Sequence, residues 1–287
     1  MIRSVGGSVL GMMLLLALLF GCEDPRIKSA ERAKAHVAAL SKAATADVAD
    51  VRSGMPEGAK RLVKIFATEG GLPDDAAALK KALRLTRGRV QDLRVAKSTF
   101  FALVNADGVA MRSNQPVDEL SGKSVLKGFP ELKTALAGRY IETTGSMNAL
   151  RGVNTKPDGQ WMSAHPVKKD DKVLGLYITG WAWSRYAYRL EFKLRGDVQE
   201  ALRAADTIEN EPLLYVFVLV DGQAYGAGPT PHVSADAVAK LNALSHVKGS
   251  EPYVTVLEIT GRGYGVAVMK VPALGANVGI AVLRSET

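Results

Sequence analysis

Cysteine is almost absent from this sequence: Cys22 is the only one in 287 residues. With no second thiol, an intramolecular disulfide and a cysteine-based metal site are both excluded. The four histidines, at positions 36, 165, 232 and 246, have no spacing typical of zinc ligands. A Gly-x-Ser-x-Gly nucleophile elbow is also missing. We therefore predict no metal, no cofactor and no catalytic residue.

A long apolar run occurs only at the amino terminus. Residues 5–20 carry no charge, follow the basic start Met1-Ile2-Arg3, and lead into Leu19-Phe20-Gly21-Cys22. The run is shorter than the roughly 20 residues of a membrane span. Leu three positions before the cysteine and Gly directly before it form the pattern that lipoprotein-processing enzymes read. We predict that residues 1–21 are a signal peptide, excluded from fold reasoning, and that a lipid on Cys22 anchors the protein to a membrane of the cell envelope. An uncleaved anchor helix or an ordinary signal peptide is the alternative.

The remaining composition is that of a folded protein. Hydrophobic residues make up 47% of the chain, which is enough for a sizeable core. The formal net charge is +8, but lysine and arginine alternate with acidic residues rather than forming long runs. This pattern favours a solvated surface, and no nucleic-acid partner is predicted.

The first part of the mature chain is predicted to be helical. Apolar residues recur every three or four positions from Arg26 to Val51, which indicates an amphipathic helix. Gly54, Pro56 and Gly58 are expected to end it, and a second helix is predicted over about 57–68. A third follows to about residue 97, with Asp74 or Asp75 as its cap.

Two groups of strands follow, and they have the same order. Each begins with a hairpin around an Asp-Gly turn, at Asp107-Gly108 and at Asp221-Gly222. In each group a helical segment and three further strands come next. A charged amphipathic helix over about 184–210 joins the groups, and Ser234 is expected to cap the short helix of the second one. The fold class predicted is α+β, with N-terminal helices and two antiparallel sheet modules in tandem.

The motifs of the first group resemble those of extracytoplasmic double Cache (PAS-like) sensor domains. The resemblance rests on residues 101–114, on Leu120 to Val125, on Phe129 to Gly138, and on Trp161-Met-Ser-Ala-His-Pro-Val167. It implies a ligand pocket on one face of a PAS-like sheet preceded by a long helix. Members of that family usually feed a cytoplasmic module through membrane helices, so this chain is expected to act through a partner protein. The amino-acid-binding pattern is incomplete, because Gly159 stands where an Arg is expected.

Two glycine-containing motifs have structural explanations. Ser121-Gly122-Lys123-Ser124 resembles the end of a phosphate-binding loop, but the required earlier glycine is replaced by Val117. Residues 261–265 resemble a dinucleotide-binding fingerprint but lie within a predicted hairpin. Neither motif predicts a nucleotide site.

The sequence therefore predicts a small-molecule pocket in the first module. Such pockets combine apolar walls with a few placed polar groups. All three tryptophans belong to this module, and alternation puts Trp161 and Ser163 on one face, as it does Tyr177 and Trp181. Arg151 is a further candidate anion anchor beside Arg112, and packing in the core is the alternative for each aromatic residue. The predicted ligand-binding residues are Arg112, Tyr140, Trp161, Ser163, Tyr177 and Trp181.

The sequence thus predicts a lipid-anchored, non-catalytic sensor that binds a small metabolite. The alternative is a structural or interaction lipoprotein of the envelope, and an enzyme is the third hypothesis. The predicted regions are the signal peptide 1–21, a helical region 22–98, module 1 over 99–183, a connecting helix 184–210 and module 2 over 211–287.

Overall fold

The computed structural model describes residues 24–68, 72–73, 75–96, 100–147, 158–205 and 210–286. The predicted signal peptide, Cys22 and Arg151 lie outside the described residues. None of the described helices is both long enough and apolar enough to cross a membrane.

A single long helix, α1 (Pro25–Thr68), runs along both sheets. The predicted break at Gly54, Pro56 and Gly58 is wrong, because the helix continues through all three residues. A proline inside a helix costs about 3 kcal/mol, and burial of a continuous apolar stripe on either side of it outweighs that cost. The buried residues of this stripe are Ala33, Val37, Leu40, Ala44, Val48, Val51, Met55, Ala59, Leu62 and Phe66.

Two shorter helices follow, where the sequence predicts one. The helix α2 (Ala76–Arg89) is capped by Asp75, whose carboxylate accepts hydrogen bonds from the backbone nitrogens of Ala77 (3.2 Å) and Ala78 (2.8 Å). Val90 then adopts an extended conformation, and α3 (Gln91–Val95) begins directly after it. The hydrogen bonds of Asp75 confirm it as the cap of the third predicted helix. The extended conformation of Val90 divides that predicted helix into α2 and α3.

Module 1 is a five-stranded antiparallel sheet in the order β2-β1-β5-β4-β3. Two 3₁₀ turns, Val125–Lys127 and Pro130–Leu132, and the short helix α4 (Lys133–Leu136) lie between β2 and β3. Gly108 has a φ of +77°, which explains the Asp-Gly turn of the first hairpin. The strands are β1 (Phe100–Asn105), β2 (Ala110–Ser113), β3 (Ile141–Gly145), β4 (Gln160–Lys169) and β5 (Lys172–Ala182).

Module 2 repeats this topology, with the order β7-β6-β10-β9-β8. Its helix α6 (His232–Lys240) begins before Ser234, so the predicted cap is wrong: Ser234 is buried in the first turn. A 3₁₀ turn, Ala243–Ser245, follows this helix. The strands are β6 (Leu213–Val220), β7 (Gln223–Gly226), β8 (Tyr253–Ile259), β9 (Arg262–Lys270) and β10 (Val278–Ser285).

The helix α5 (Trp183–Ala204) connects the modules. Its buried Glu191 accepts a hydrogen bond from the backbone nitrogen of Val216 (3.1 Å) and pairs with Arg195. Arg195 in turn donates to the carbonyl of Leu214 at 2.6 Å. These contacts attach α5 to the start of β6.

The apolar core is continuous along α1. One cluster joins α1, α2, α3 and α5 to one face of each sheet. The opposite face of each sheet has a cluster of its own. The predicted fold class, α+β with N-terminal helices and two tandem antiparallel modules, is confirmed.

Candidate functional site

The predicted site residues of β4 and β5 lie on one face of sheet 1, the face that packs against α1. The alternation of the sequence predicts this shared face, and the antiparallel register places their residues directly opposite one another. The pairs across the two strands are Trp161 with Trp181, Ser163 with Thr179, and His165 with Tyr177.

The tryptophan end of this face is filled by stacked rings. Trp161 stacks on Trp181 with a centroid distance of 4.4 Å, and Trp181 stacks on Tyr186 of α5 at 4.7 Å. Tyr186 donates a hydrogen bond to Asp47 of α1 at 3.1 Å. Trp161 and Trp181 are 1% and 0% exposed, so the rings form part of the core. Contact of either ring with a ligand stays a prediction.

Tyr177 is also fully buried, beneath α1. A Cβ at Gly58 would lie 2.7 Å from Cε1 of Tyr177, so the ring fits only because α1 has a glycine there. Burial raises the pKa of Tyr177 above its ordinary value, although the nearby charge of Arg87 opposes this shift. The ring therefore separates helix from sheet, and its contact with a ligand also stays a prediction.

Toward the β3 edge the same face opens into a cavity of about 300 Å³. We call this cavity the α1 cleft. One wall is the second half of α1, and the other is formed by β4 and the segment that enters β3. The lining residues are Pro56, Ala59, Lys60, Val63, Gly138, Tyr140, His165, Pro166 and Lys168.

One of the predicted residues, Tyr140, lines this cleft, and a second, the buried Ser163, contacts Tyr140 from behind. The Ser163 hydroxyl donates to the Tyr140 oxygen at 3.0 Å, and Tyr140 donates to Oε1 of Glu142 at 2.7 Å. Arg52 of α1 pairs with both oxygens of Glu142, at 2.6 and 2.8 Å, and donates to the carbonyl of Ala273 at 3.2 Å. Because Ala273 lies between β9 and β10, this chain of hydrogen bonds joins the cleft to module 2.

The cleft is positively charged. His165 is half-buried, and burial lowers the pKa of its imidazole, while Lys168 and Lys60 lower it further. Nδ1 of His165 lies 2.9 Å from the carbonyl oxygen of Pro166, which can only accept. The neutral ring therefore carries its proton on Nδ1 and presents Nε2 as an acceptor. No carboxylate is among the lining residues.

Arg112 lies far from this cleft. It belongs to β2, at the opposite edge of the sheet from β3, and four strand spacings amount to about 19 Å. Its Nη1 pairs with the buried carboxylate of Asp118 at 3.1 Å, and Asp118 also accepts hydrogen bonds from Ser113. The structure thus gives Arg112 a partner in the loop after β2 and does not bring it together with Tyr140 and Ser163.

Sequence reasoning missed the cations of the cleft. The sequence predicts Lys60 in the helical region and His165 in the motif Trp161 to Val167. His165 and Lys168 belong to the same strand, β4, and only the contact between α1 and β4 brings Lys60 to them. A local sequence pattern carries no signal for that contact. In the part of the chain that the structure describes, no three His, Cys, Asp or Glu residues are grouped as metal ligands would be.

The faces of the sheets away from α1 carry apolar clusters of their own. In module 1 the cluster includes Phe129 and Leu132, which are both fully buried. In module 2 it includes Val238 and Val247. The α1 cleft is lined by one of the predicted residues, Tyr140.

The sequence matches no protein-family model and no curated protein. The fold, in contrast, is similar to solved structures. The sensor domain of the histidine kinase DctB from V. cholerae has a TM-score of 0.51 at 14% identity, covering 92% of this chain and 100% of that one. A domain of a sensory box/GGDEF family protein from Vibrio parahaemolyticus has a TM-score of 0.57 at 9% identity, covering 92% and 98%.

A third similar structure is the ligand-binding domain of the Campylobacter jejuni chemoreceptor Tlp3, in complex with 4-methylisoleucine. Its TM-score is 0.50 at 16% identity, and the match covers 92% of this chain and 95% of that one. At such identities the likeness concerns the fold alone. The chain has the fold of extracellular sensor and ligand-binding domains, with two Cache-like antiparallel modules behind N-terminal helices.

Proposed function

We propose that this protein is an extracytoplasmic sensor that binds a small anionic metabolite in the α1 cleft and acts through a partner protein. Convergence of Lys60 and Lys168 on His165 is the observation that carries the proposal. Two cations without a lining carboxylate attract an anion. Ala59 and Val63 add an apolar wall, which suits a carboxylate with a short hydrocarbon body.

Tyr140 forms the polar wall of the proposed site, and the buried Ser163 holds its hydroxyl in place from behind. Trp161, Tyr177 and Trp181 support it from behind, because their packing fixes the face of β4 and β5. Arg112 has no part in this site. Amino acids are less suitable ligands, because the lining residues include no carboxylate to accept an ammonium group.

Occupancy of the cleft would be communicated through α1. Tyr140, Glu142 and Arg52 connect the cleft to the carbonyl of Ala273 in module 2. A ligand that moves Tyr140 therefore acts on a contact between the modules. In this proposal residues 1–21 are removed, a lipid on Cys22 ties the protein to an envelope membrane, and no catalytic step is assigned. A partner is proposed because similar solved structures are named as sensor domains of kinases and chemoreceptors.

The test is a thermal-unfolding and calorimetric screen of the full chain in detergent against short carboxylates such as acetate, butyrate and benzoate. A ligand at 100 times its Kd adds about 2.7 kcal/mol of stability. The variant K60Q/K168Q should lose the shift. The control K64Q/K169Q removes the same charge from exposed neighbours outside the cleft. An equal loss in both variants, or no shift with any carboxylate, would contradict the proposal.

The pH dependence of binding has a definite sign. An anion beside His165 favours the protonated ring, so the complex has the higher pKa and binds more protons than the free protein. Affinity should therefore rise as the pH falls through the range of histidine. A variant H165Q should bind with a flat pH profile over the same range.

The second candidate function is a structural or interaction lipoprotein of the envelope. The clusters of buried apolar side chains on the outer faces of both sheets favour it, because these side chains occupy space that a ligand would need. In that case the screen would find no ligand, and the long exposed side of α1 would be the contact surface.

A further inference from the structure

A second concavity lies toward the β2 edge of module 1, opposite the β3 edge, between the helices α2 and α3 and the end of β2. Its volume is about 480 Å³. We call it the basic groove. Its polar lining residues are Lys80, Lys81, Arg84, Arg87, Arg94 and Asn114.

The groove carries five cations and, among the described lining residues, no carboxylate. None of these five cations has an ion pair with another described residue. Elsewhere in the described chain eight arginines pair with Asp or Glu, at distances from 2.5 to 3.3 Å. Among the described residues, no ion pair compensates the charge of the groove, in contrast to these eight arginines.

The spacing of the cations on α2 destabilises this helix through charge repulsion. Lys80 and Arg84 are four residues apart, and Arg84 and Arg87 are three apart, so the charges are neighbours on one side of the helix. Like charges at these spacings destabilise a helix. A bound anion would relieve this repulsion.

Two of the lining residues are held in place by β1. The guanidinium of Arg87 lies over the ring of Phe101, 5.0 Å from its centroid. Asn114 accepts a hydrogen bond from the backbone nitrogen of Phe101 through Oδ1 at 2.7 Å. Its amide nitrogen is then oriented as a donor for a ligand. Contacts with Phe101 of β1 thus fix the positions of two hydrogen-bond donors of the groove, Arg87 and Asn114.

The groove is remote from the start of α1. Ala30 packs on Gly265 of module 2, whereas Gly54 packs on Leu93 of α3. At 1.5 Å per residue these two contacts are about 36 Å apart along the helix. A membrane holding the chain in front of α1 would lie at the module 2 end, so an occupant from solution suits the groove better than the headgroups of that membrane.

We propose that the basic groove binds a soluble small molecule with two or more phosphate groups, at a site separate from the α1 cleft. Arginine presents a fork of N–H donors that matches phosphate oxygens in pairs. The groove has the volume of a small-molecule site. The choice of a soluble occupant rests on the membrane anchor of the proposed function, whereas the groove itself does not, because the two cavities share no residue.

The test uses tripolyphosphate as the probe and the full chain in detergent, by calorimetry at 150 mM salt, where weak surface attraction is screened. Saturable binding of one probe per chain is expected. The variant R84Q/R94Q should weaken binding at least about tenfold, because two of the cations that contact phosphate are lost. The control R89Q/R203Q removes two exposed arginines outside the groove and should change the affinity less than about twofold.

Four outcomes would overturn the inference. The first is no binding of tripolyphosphate, and the second is an equal loss of affinity in both variants, which would indicate diffuse attraction. The third is binding of a polyglutamate peptide without binding of tripolyphosphate, which would indicate a protein partner. The fourth is binding only to vesicles that contain phosphatidylglycerol, which would indicate a membrane surface. Binding of carboxylates in the α1 cleft is measured separately with K60Q/K168Q.

Discussion

The two modules share a strand order, yet α1 contacts them in different ways. In module 2 the close approach depends on a glycine of the sheet: a Cβ at Gly265 would overlap the backbone of Ser29 and Ala30. In module 1 the glycines belong to the helix, where Gly54 and Gly58 make space for Leu93 and Tyr177. The helix backbone thus rests on β9 in module 2, whereas large side chains lie between helix and sheet in module 1.

This difference explains where the α1 cleft forms. A helix that rests directly on a strand leaves no gap beside it. In module 1 the aromatic side chains between α1 and the sheet keep the helix away from the strands. Beyond this aromatic layer, toward His165 and Tyr140, the space between helix and sheet is the α1 cleft. The corresponding face of module 2 carries small aliphatic residues. They are Val216, Val218, Ala267, Ile280 and Val282.

The largest expected effect comes from removing the ring layer of module 1. Trp181 is fully buried between Trp161 and Tyr186, so W181A should lower the free energy of unfolding by about 3–5 kcal/mol. Denaturant unfolding measures this loss. The control F192A truncates an aromatic residue that is 69% exposed on α5 and should stay within about 0.5 kcal/mol of the parent. Similar values for both variants would show that the rings do not support the sheet.

The direct contact in module 2 gives the next effect. The substitution G265A puts a methyl group where the backbone of α1 lies, and it should cost about 1–3 kcal/mol because the helix must move. The control G196A adds the same methyl group to α5, where no atom lies within 4 Å. This control should stabilise the protein by up to about 1 kcal/mol. Equal free energies of unfolding for G265A and G196A would contradict the close contact between α1 and β9.

The smallest effect concerns His36, which closes the boundary between α1 and β10 in module 2. Nη1 of Arg284 lies 2.8 Å from Nε2 of His36, so that nitrogen accepts and the ring is neutral. Burial, followed by the charge of Arg284, lowers the pKa of His36 to about 4. Glu286 and Asp197 raise this pKa, and Arg32 lowers it.

The sign of the pH effect follows from that shift. The imidazole of His36 takes up a proton near pH 6.5 in the unfolded state but only near pH 4 in the folded state. The contribution of neutral His36 to the free energy of unfolding is therefore fully present above about pH 6.5 and is lost as the pH falls toward 4. The loss should be about 1–2 kcal/mol, since partial exposure of the ring reduces the full effect. Unfolding of the parent and H36Q at pH 7.5 and 5.0 measures it. H36Q should lose less stability on acidification, whereas the exposed control H232Q should behave as the parent does.

Much of the fold could be predicted from local sequence. The Asp-Gly turns need residues that tolerate a positive φ, and Asp221 and Gly222 have φ values of 48° and 81°. The repeated order of strands follows from these turns and from the apolar alternation between them. The continuity of α1 could not be predicted, because Gly54 and Pro56 are unfavourable in an isolated helix. Their cost is offset by residues far away in sequence, such as Leu93.

Less of the candidate site could be predicted. Alternation placed Ser163 and Trp161 on one face correctly, but it does not say which part of that face is filled. Tyr140 lines the cleft and Ser163 lies buried behind it, whereas Trp161 stacks on Trp181, which is covered by Tyr186 of the following helix. The charge of the cleft comes from Lys168, close to His165 in sequence, and from Lys60, which lies more than one hundred residues before it.

The sequence by itself determined the elements of this protein: which segments are strands, where the chain turns, and that the same module is built twice. These are properties of neighbouring residues, set by periodicity and by the φ that a turn requires. Only the tertiary structure decided which face of each sheet meets α1, where a helix stands away from a sheet and leaves a cleft, and which cations share a groove. Both faces of the sheets are apolar, so the choice between them depends on side-chain volumes contributed by distant parts of the chain.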